Sequence, residues 1–112
     1  MVSDLMFTVK IQDAAKRAGV EALFVTSQEN ALTQARTNPA LVVLDLNYAA
    51  VEPVELIRKL KQEETTAKIH LLGFVSHVQT DLIQAARDSG CDRVMARSAF
   101  SQNLPAILAE LT

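Results

Sequence analysis

The chain has 112 residues, room for one ordinary domain, and a single domain over 1–112 is the expectation. Its composition, 49% hydrophobic and 21% charged with three Gly and three Pro, excludes a disordered or fibrous chain. The net charge of -2, with acids and bases interspersed, excludes the concentrated basic stripe that nucleic-acid binding needs.

No apolar run approaches the roughly 18 residues of a membrane span, and no basic flank with an apolar core marks a signal peptide. Neither a nucleic acid nor a membrane is therefore an expected partner, and a cytoplasmic location is. The lone Cys91 agrees: it can form no internal disulfide and reads as a small buried hydrophobe.

In chain order, Met1, Val2 and Ser3 can supply only the stub of a first strand. Residues 4–18 have helical spacing, with Phe7, Ile11, Ala14, Ala15 and Ala18 on one face and Gly19 as a stop. Residues 22–26 read as a second strand, and Ser27 caps a short helix reaching about Arg36. The run 41–46, Leu-Val-Val-Leu-Asp-Leu, is apolar and partly β-branched, the pattern of a strand buried on both faces. Pro53 opens a helix to about Glu63, with Val54, Leu56, Ile57 and Leu60 inside and Arg58, Lys59 and Lys61 on a solvated face. A fourth strand covers 69–74, a helix 79–89 closes at Gly90, and 93–96 is a short fifth strand. The last helix is expected to start at Ser101 or Asn103, so that Pro105 falls in its first turn.

This regular β-α alternation with short connections gives an α/β fold, a parallel sheet between two helix layers. The turn after the first strand, Ser3-Asp4-Leu5-Met6, has no glycine, and no GxxxxGK[ST] run occurs, so a nucleotide-binding reading loses its support. The strand carboxyl ends bring Asp4, Asp45, Asn47, the loop at Ser76 and His77, and Arg97 to one edge, where open α/β sheets bind ligands. Asp45 there is either a functional carboxylate or the start of a turn. In a doubly wound sheet of order 2-1-3-4-5, Asp4 and Asp45 are neighbours and repel unless a cation intervenes. Mg²⁺ suits that place, Arg97 can hold a phosphate, and an Asp carboxylate can attack a phosphoryl group. No general base, nucleophile pair or cofactor loop can be assembled, so an enzyme is not expected.

At this point the chain resembles a family. The run LVVLDLNYAAVEPVELIRKLK is similar to the third strand and helix of a bacterial two-component response-regulator receiver domain (CheY-like), and VSHVQTDLIQAARDSGCDRVMARS continues the likeness to the end. The resemblance implies a five-stranded, flavodoxin-like sheet of order 2-1-3-4-5, an order for which the family itself serves as a standard example. It further implies Asp45 as phosphoacceptor, Ser76 and Arg97 as phosphate contacts, and Mg²⁺ held by Asp4, Asp45 and the backbone carbonyl of Asn47.

The departures from the family pattern bear on function. Ser3 and Asp4 stand where an acidic pair is usual; the expected hydroxyl residue falls on Val75, with Ser76 next to it; Arg97-Ser98 replaces Lys-Pro. Val94 stands at the switch aromatic's position and Pro53 where a loop glycine is usual. The resulting expectation is a stand-alone receiver in phosphorelay signalling that takes a phosphoryl group on Asp45 from a sensor histidine kinase and works through contacts with other signalling proteins. The alternative is a degenerate pseudo-receiver, a phosphate-independent interaction or dimerisation module. The family's pairing through the last helix and the fifth strand implies a homodimer. The stub at Met1 to Ser3 implies either that residues upstream of Met1 are missing or that the central strand is truncated.

Overall fold

The computed structural model describes residues 5–24, 28–47, 52–76 and 79–111. The elements are α1 (Leu5–Ala18), β1 (Ala22–Phe24), α2 (Gln28–Ala35), β2 (Leu41–Asp45), α3 (Pro53–Gln62), β3 (His70–Val75), α4 (Thr80–Asp88), β4 (Arg93–Ala96) and α5 (Arg97–Glu110). Helix and strand alternate as the hydrophobic periods predict, and the class is α/β with a parallel sheet.

Strand number and order differ from the expectation. The sheet has four described strands in the order β1-β2-β3-β4. β1 pairs directly with β2, Leu23 facing Val42, so no strand lies between them. The 2-1-3-4-5 order is therefore not adopted by the described strands, and Met1 to Ser3, expected as the first, lie outside the described residues. Direct pairing of β1 with β2 satisfies the backbone groups of both strands and leaves Leu41, Val42, Val43 and Leu44 wholly buried.

A monotonic order fixes the helix layers. All three crossovers advance in the same direction, and right-handed crossovers of one direction put their helices on one face. Accordingly α2, α3 and α4 send Ala31, Ala35, Leu56, Ile57, Leu60 and Ala86 onto Val42, Leu44 and Leu71. The other face is left to the flanking helices: Phe7, Ile11 and Ala15 of α1 and Phe100, Leu104, Ile107 and Leu108 of α5 cover Leu41, Val43, Leu72 and Phe74.

α5 starts earlier than the sequence suggests. It begins at Arg97, directly after β4, with no loop, so Pro105 sits in the helix interior instead of the first turn. The stripe Phe100, Leu104, Ile107 and Leu108 packs on both sides of the proline, and that burial outweighs the hydrogen bond it forfeits. Pro53 instead takes the first helical position of α3, preceded by Glu52 in the left-handed region at φ 47°.

Candidate functional site

β2 is bordered by β1 and β3 and delivers Asp45 at its carboxyl end, half-buried, directly across from Phe74. Side chains alternate along a strand, so Asp45 faces the same side as Leu41 and Val43, the side covered by α1 and α5. Packing holds the loop that leaves Asp45. Leu46 donates its N–H to the Phe74 carbonyl at 3.0 Å, prolonging the ladder. Its side chain, 2% exposed, lies over Gly73, where an added Cβ would stand 2.8 Å from Leu46 carbons. Gly73 is thus the space into which the Asp45 loop folds.

Asp45 does act as a turn residue: its Oδ1 accepts the N–H of Asn47 at 3.0 Å, the pattern of an Asx-turn. That uses one carboxylate oxygen; Oδ2 makes no hydrogen bond to a described residue. Among the described residues no Lys or Arg forms an ion pair with Asp45. Asn47 in turn accepts the backbone N–H of Ser76 on its side-chain Oδ1 at 2.8 Å, linking the loop after β2 to that after β3. Asp45, Asn47 and Ser76 are therefore tied in one chain of contacts. This tie has no signature in the sequence, where Asn47 counts only through its backbone.

The remaining expected residues are more scattered. Val75 ends β3 opposite Ala96, buried with the α2–α4 layer, while Ser76 is exposed beyond it. Val94 packs against the same layer. Arg97 forms no ion pair with Asp45, and its guanidinium lies over the Phe7 ring, 4.2 Å from the centroid. Phe7 makes edge contacts with Phe74 at 5.3 Å and Phe100 at 6.0 Å between centroids, so the cation caps an aromatic cluster. A cleft of about 490 Å³ opens here, lined by Phe7, Val75, Ser76, Ala96, Arg97, Ser98 and Ser101, and Asp45 is not part of its wall. Lys10 reaches this end from α1, donating to the Ser101 hydroxyl at 2.9 Å. Asp4 and His77 lie outside the described residues, and no group of three His, Cys, Asp or Glu converges among the described ones.

The monotonic strand order also changes how the rim is formed. A doubly wound sheet opens a crevice where the strand order reverses, and no reversal occurs among the described strands. Asp45 owes its position to the end of a central strand and to the Asx-turn.

At the opposite edge the structure corrects one residue outright. Lys61 is only partly solvated: its ammonium donates to the carbonyls of Ala67 at 3.2 Å and Ile69 at 3.1 Å and pairs with Asp92 at 3.0 Å. Asp92 also accepts the Leu71 N–H at 2.8 Å. Burial works to raise the Asp92 carboxyl, but the Leu71 N–H and the Lys61 ammonium outweigh it and hold it below its ordinary value. Burial drives the Cys91 thiol up to about 11, and it donates to the Arg93 carbonyl at 3.1 Å: a packed thiol, not a nucleophile.

No helix of the described residues is long and apolar enough to cross a membrane. No family model matches the chain, and no curated protein matches it. Solved structures do. A response regulator from Hahella chejuensis superposes with a TM-score of 0.79 at 16% identity, over 97% of this chain and 89% of its own. The phosphorylated cyanobacterial phytochrome response regulator RcpA gives 0.71 at 23% identity, covering 93% of this chain and 81% of its own. The Mn²⁺-bound form of response regulator Rcp1 gives 0.69 at 14% identity, over 96% and 85%. With helices on both faces of a parallel sheet and these neighbours, the chain has the CheY-like receiver fold of response regulators.

Proposed function

We propose that this chain is a receiver-type signalling domain that accepts a phosphoryl group on Asp45 from a sensor histidine kinase and passes the signal on through protein contacts. The observation that carries the reading is the Asp45 carboxylate, half-buried at the end of central β2, with one oxygen committed to a turn and the other making no hydrogen bond to a described residue. That oxygen attacks phosphorus; the P–N bond to the donor imidazole breaks, and the departing nitrogen keeps the electron pair and takes up a proton. Two of the structural neighbours, one phosphorylated and one Mn²⁺-bound, support a phosphoryl and divalent-cation chemistry for this fold.

The donors fit a hard divalent cation such as Mg²⁺, which needs only one or two carboxylates, with water completing the rest. Asp45 and the Asn47 carbonyl would hold it, together with Asp4, and bound there it would neutralise charge on the phosphoryl oxygens. Ser76, whose N–H Asn47 fixes, and Arg97 would contact the phosphoryl group itself.

Two observations favour a second reading, a phosphate-independent interaction module. Arg97 lies on Phe7, and Val75 presents no hydroxyl at the strand end. Weighing the intact protein after incubation with Mg²⁺ and a small acyl phosphate separates the two. A labile gain of one phosphoryl group, absent in Asp45→Asn, is expected. No gain, with a signalling partner still bound equally well by Asp45→Asn, overturns the phosphoacceptor reading in favour of the second.

A further inference from the structure

A receiver that uses its phosphoryl group must have a contact that differs between the two states, since a ligand shifts an equilibrium only by its differential affinity. Val75, buried and without a donor, and Val94, without a ring, offer none. A different pair sits on the face that Asp45 shares. Arg97 is the first residue of α5, its guanidinium stacked on Phe7 of α1. Phe7 in turn touches Phe74, the residue directly across from Asp45 in the β2-β3 ladder.

The distances suit a side chain with two resting places. Arg97 follows Ala96, which pairs with Val75, and Asp45 pairs with Phe74. Two strand spacings and about two residues of rise therefore separate Arg97 from Asp45, roughly 12 Å between Cα atoms. A long guanidinium and a phosphorylated aspartate close that gap from its two ends. A planar fork is also the group that both stacks on a ring and grips phosphoryl oxygens, which an ammonium does less well.

We propose that Arg97 is a two-position latch, resting on Phe7 while Asp45 is unmodified and turning to the phosphoryl oxygens once Asp45 carries them. This rests on the reading of Asp45 as phosphoacceptor. Departure of the cation uncovers the Phe7 ring and loosens the first turns of α1 against β3 and α5. The signal therefore emerges on the α1 side of the sheet edge, not through Val75 and Val94. The stacked state holds Arg97 back from phosphate. A surface cation–π contact is worth about two- to fivefold in an equilibrium, so removing the ring raises phosphoryl occupancy or lifetime by about that factor.

The test uses the full chain with ¹³C-labelled phenylalanine rings, of which there are four, and Phe7→Leu to assign the Phe7 signals. Mg²⁺ and an acyl phosphate are added while intact mass is followed in parallel. The expected result is a mass gain with a shift of the Phe7 ring signals that is lost in Arg97→Gln and weakened in Arg97→Lys. Phe7→Leu, if folded, should hold the phosphoryl group about two- to fivefold longer. A mass gain with unmoved Phe7 signals, or the same shift in Arg97→Gln, overturns the latch while Asp45 stands as phosphoacceptor. No mass gain at all overturns both. The ring measurement uses the unaltered chain, so the proposal remains falsifiable even if Phe7→Leu fails to fold.

Discussion

Asn47 shows how a residue with one expected role carries another. Its side chain is the strap between the loops after β2 and β3, and its backbone N–H closes the turn on Asp45. Asn47→Ala removes the acceptor of the Ser76 N–H, a cost of about 1 kcal/mol in urea unfolding for that hydrogen bond. The same change should slow phosphoryl uptake on Asp45, because Ser76 loses its tether. Gly73 supports this loop from below. Gly73→Ala drives a methyl into Leu46, which has no room to retreat in a closed core. It should destabilise the fold by roughly 1–3 kcal/mol, and the displaced Leu46 should show as altered amide signals at Asp45 and Asn47.

Among elements, the helices and strands are legible in the sequence because their hydrophobic periods are strong and their stops are Gly and Pro. The start of α5 is not. Pro105 argues for a late beginning, but propensity is local, and the stripe from Phe100 to Leu108 is buried by tertiary packing that no local rule reports. The helix therefore carries an interior proline at an exposed position. Pro105→Ala restores a donor to the Ser101 carbonyl and removes the ring's clash. It should stabilise the protein by about 2 kcal/mol, the helix gain of about 3 less the entropy that proline removes from the unfolded chain. A rise in thermal midpoint with unchanged secondary structure would support this; a fall would show that the proline shapes the α1–α5 contact. At the site, Asp45 is legible as a carboxylate ending a buried strand. The stack of Arg97 on Phe7 is not, since 90 residues separate them and only the fold brings them together. Lys61 departs from its expected place for a related reason: helical spacing puts it on the outer face, and the turn after α3 folds back over it.

For the molecule as a whole, acid is the condition to which the amino edge of the sheet responds. Burial lowers the pKa of His70 beneath 6.5, the first cause among several, and its Nε2 is buried with no hydrogen-bond partner among the described residues. The unfolded chain therefore binds a proton more readily there than the folded one. Stability is full above about pH 6.5 and declines as pH falls through the range between the two pKa values. Asp92, also lowered in the fold, adds a second loss below its ordinary 3.8, as Lys61 and the Leu71 N–H lose their acceptor charge. Urea midpoints measured from pH 8 to pH 3 should fall in these two stages, and His70→Gln should flatten the first while sparing the second.

Strand order cannot be read from the sequence, because equal β-α units with short connections are compatible with either arrangement. The order found has a kinetic meaning. Among the described strands each pairs only with its neighbour along the chain, so β1 to β4 can assemble by adding one unit after another, with none of the four inserted later between two already joined. Pairing between chain neighbours closes shorter loops than a sheet whose strand order reverses, and folding rates rise as contact order falls. In stopped-flow refolding the sheet should therefore form in a single fast phase with a linear folding limb. A rollover at low denaturant would mean instead that an early, wrongly paired sheet has to be undone.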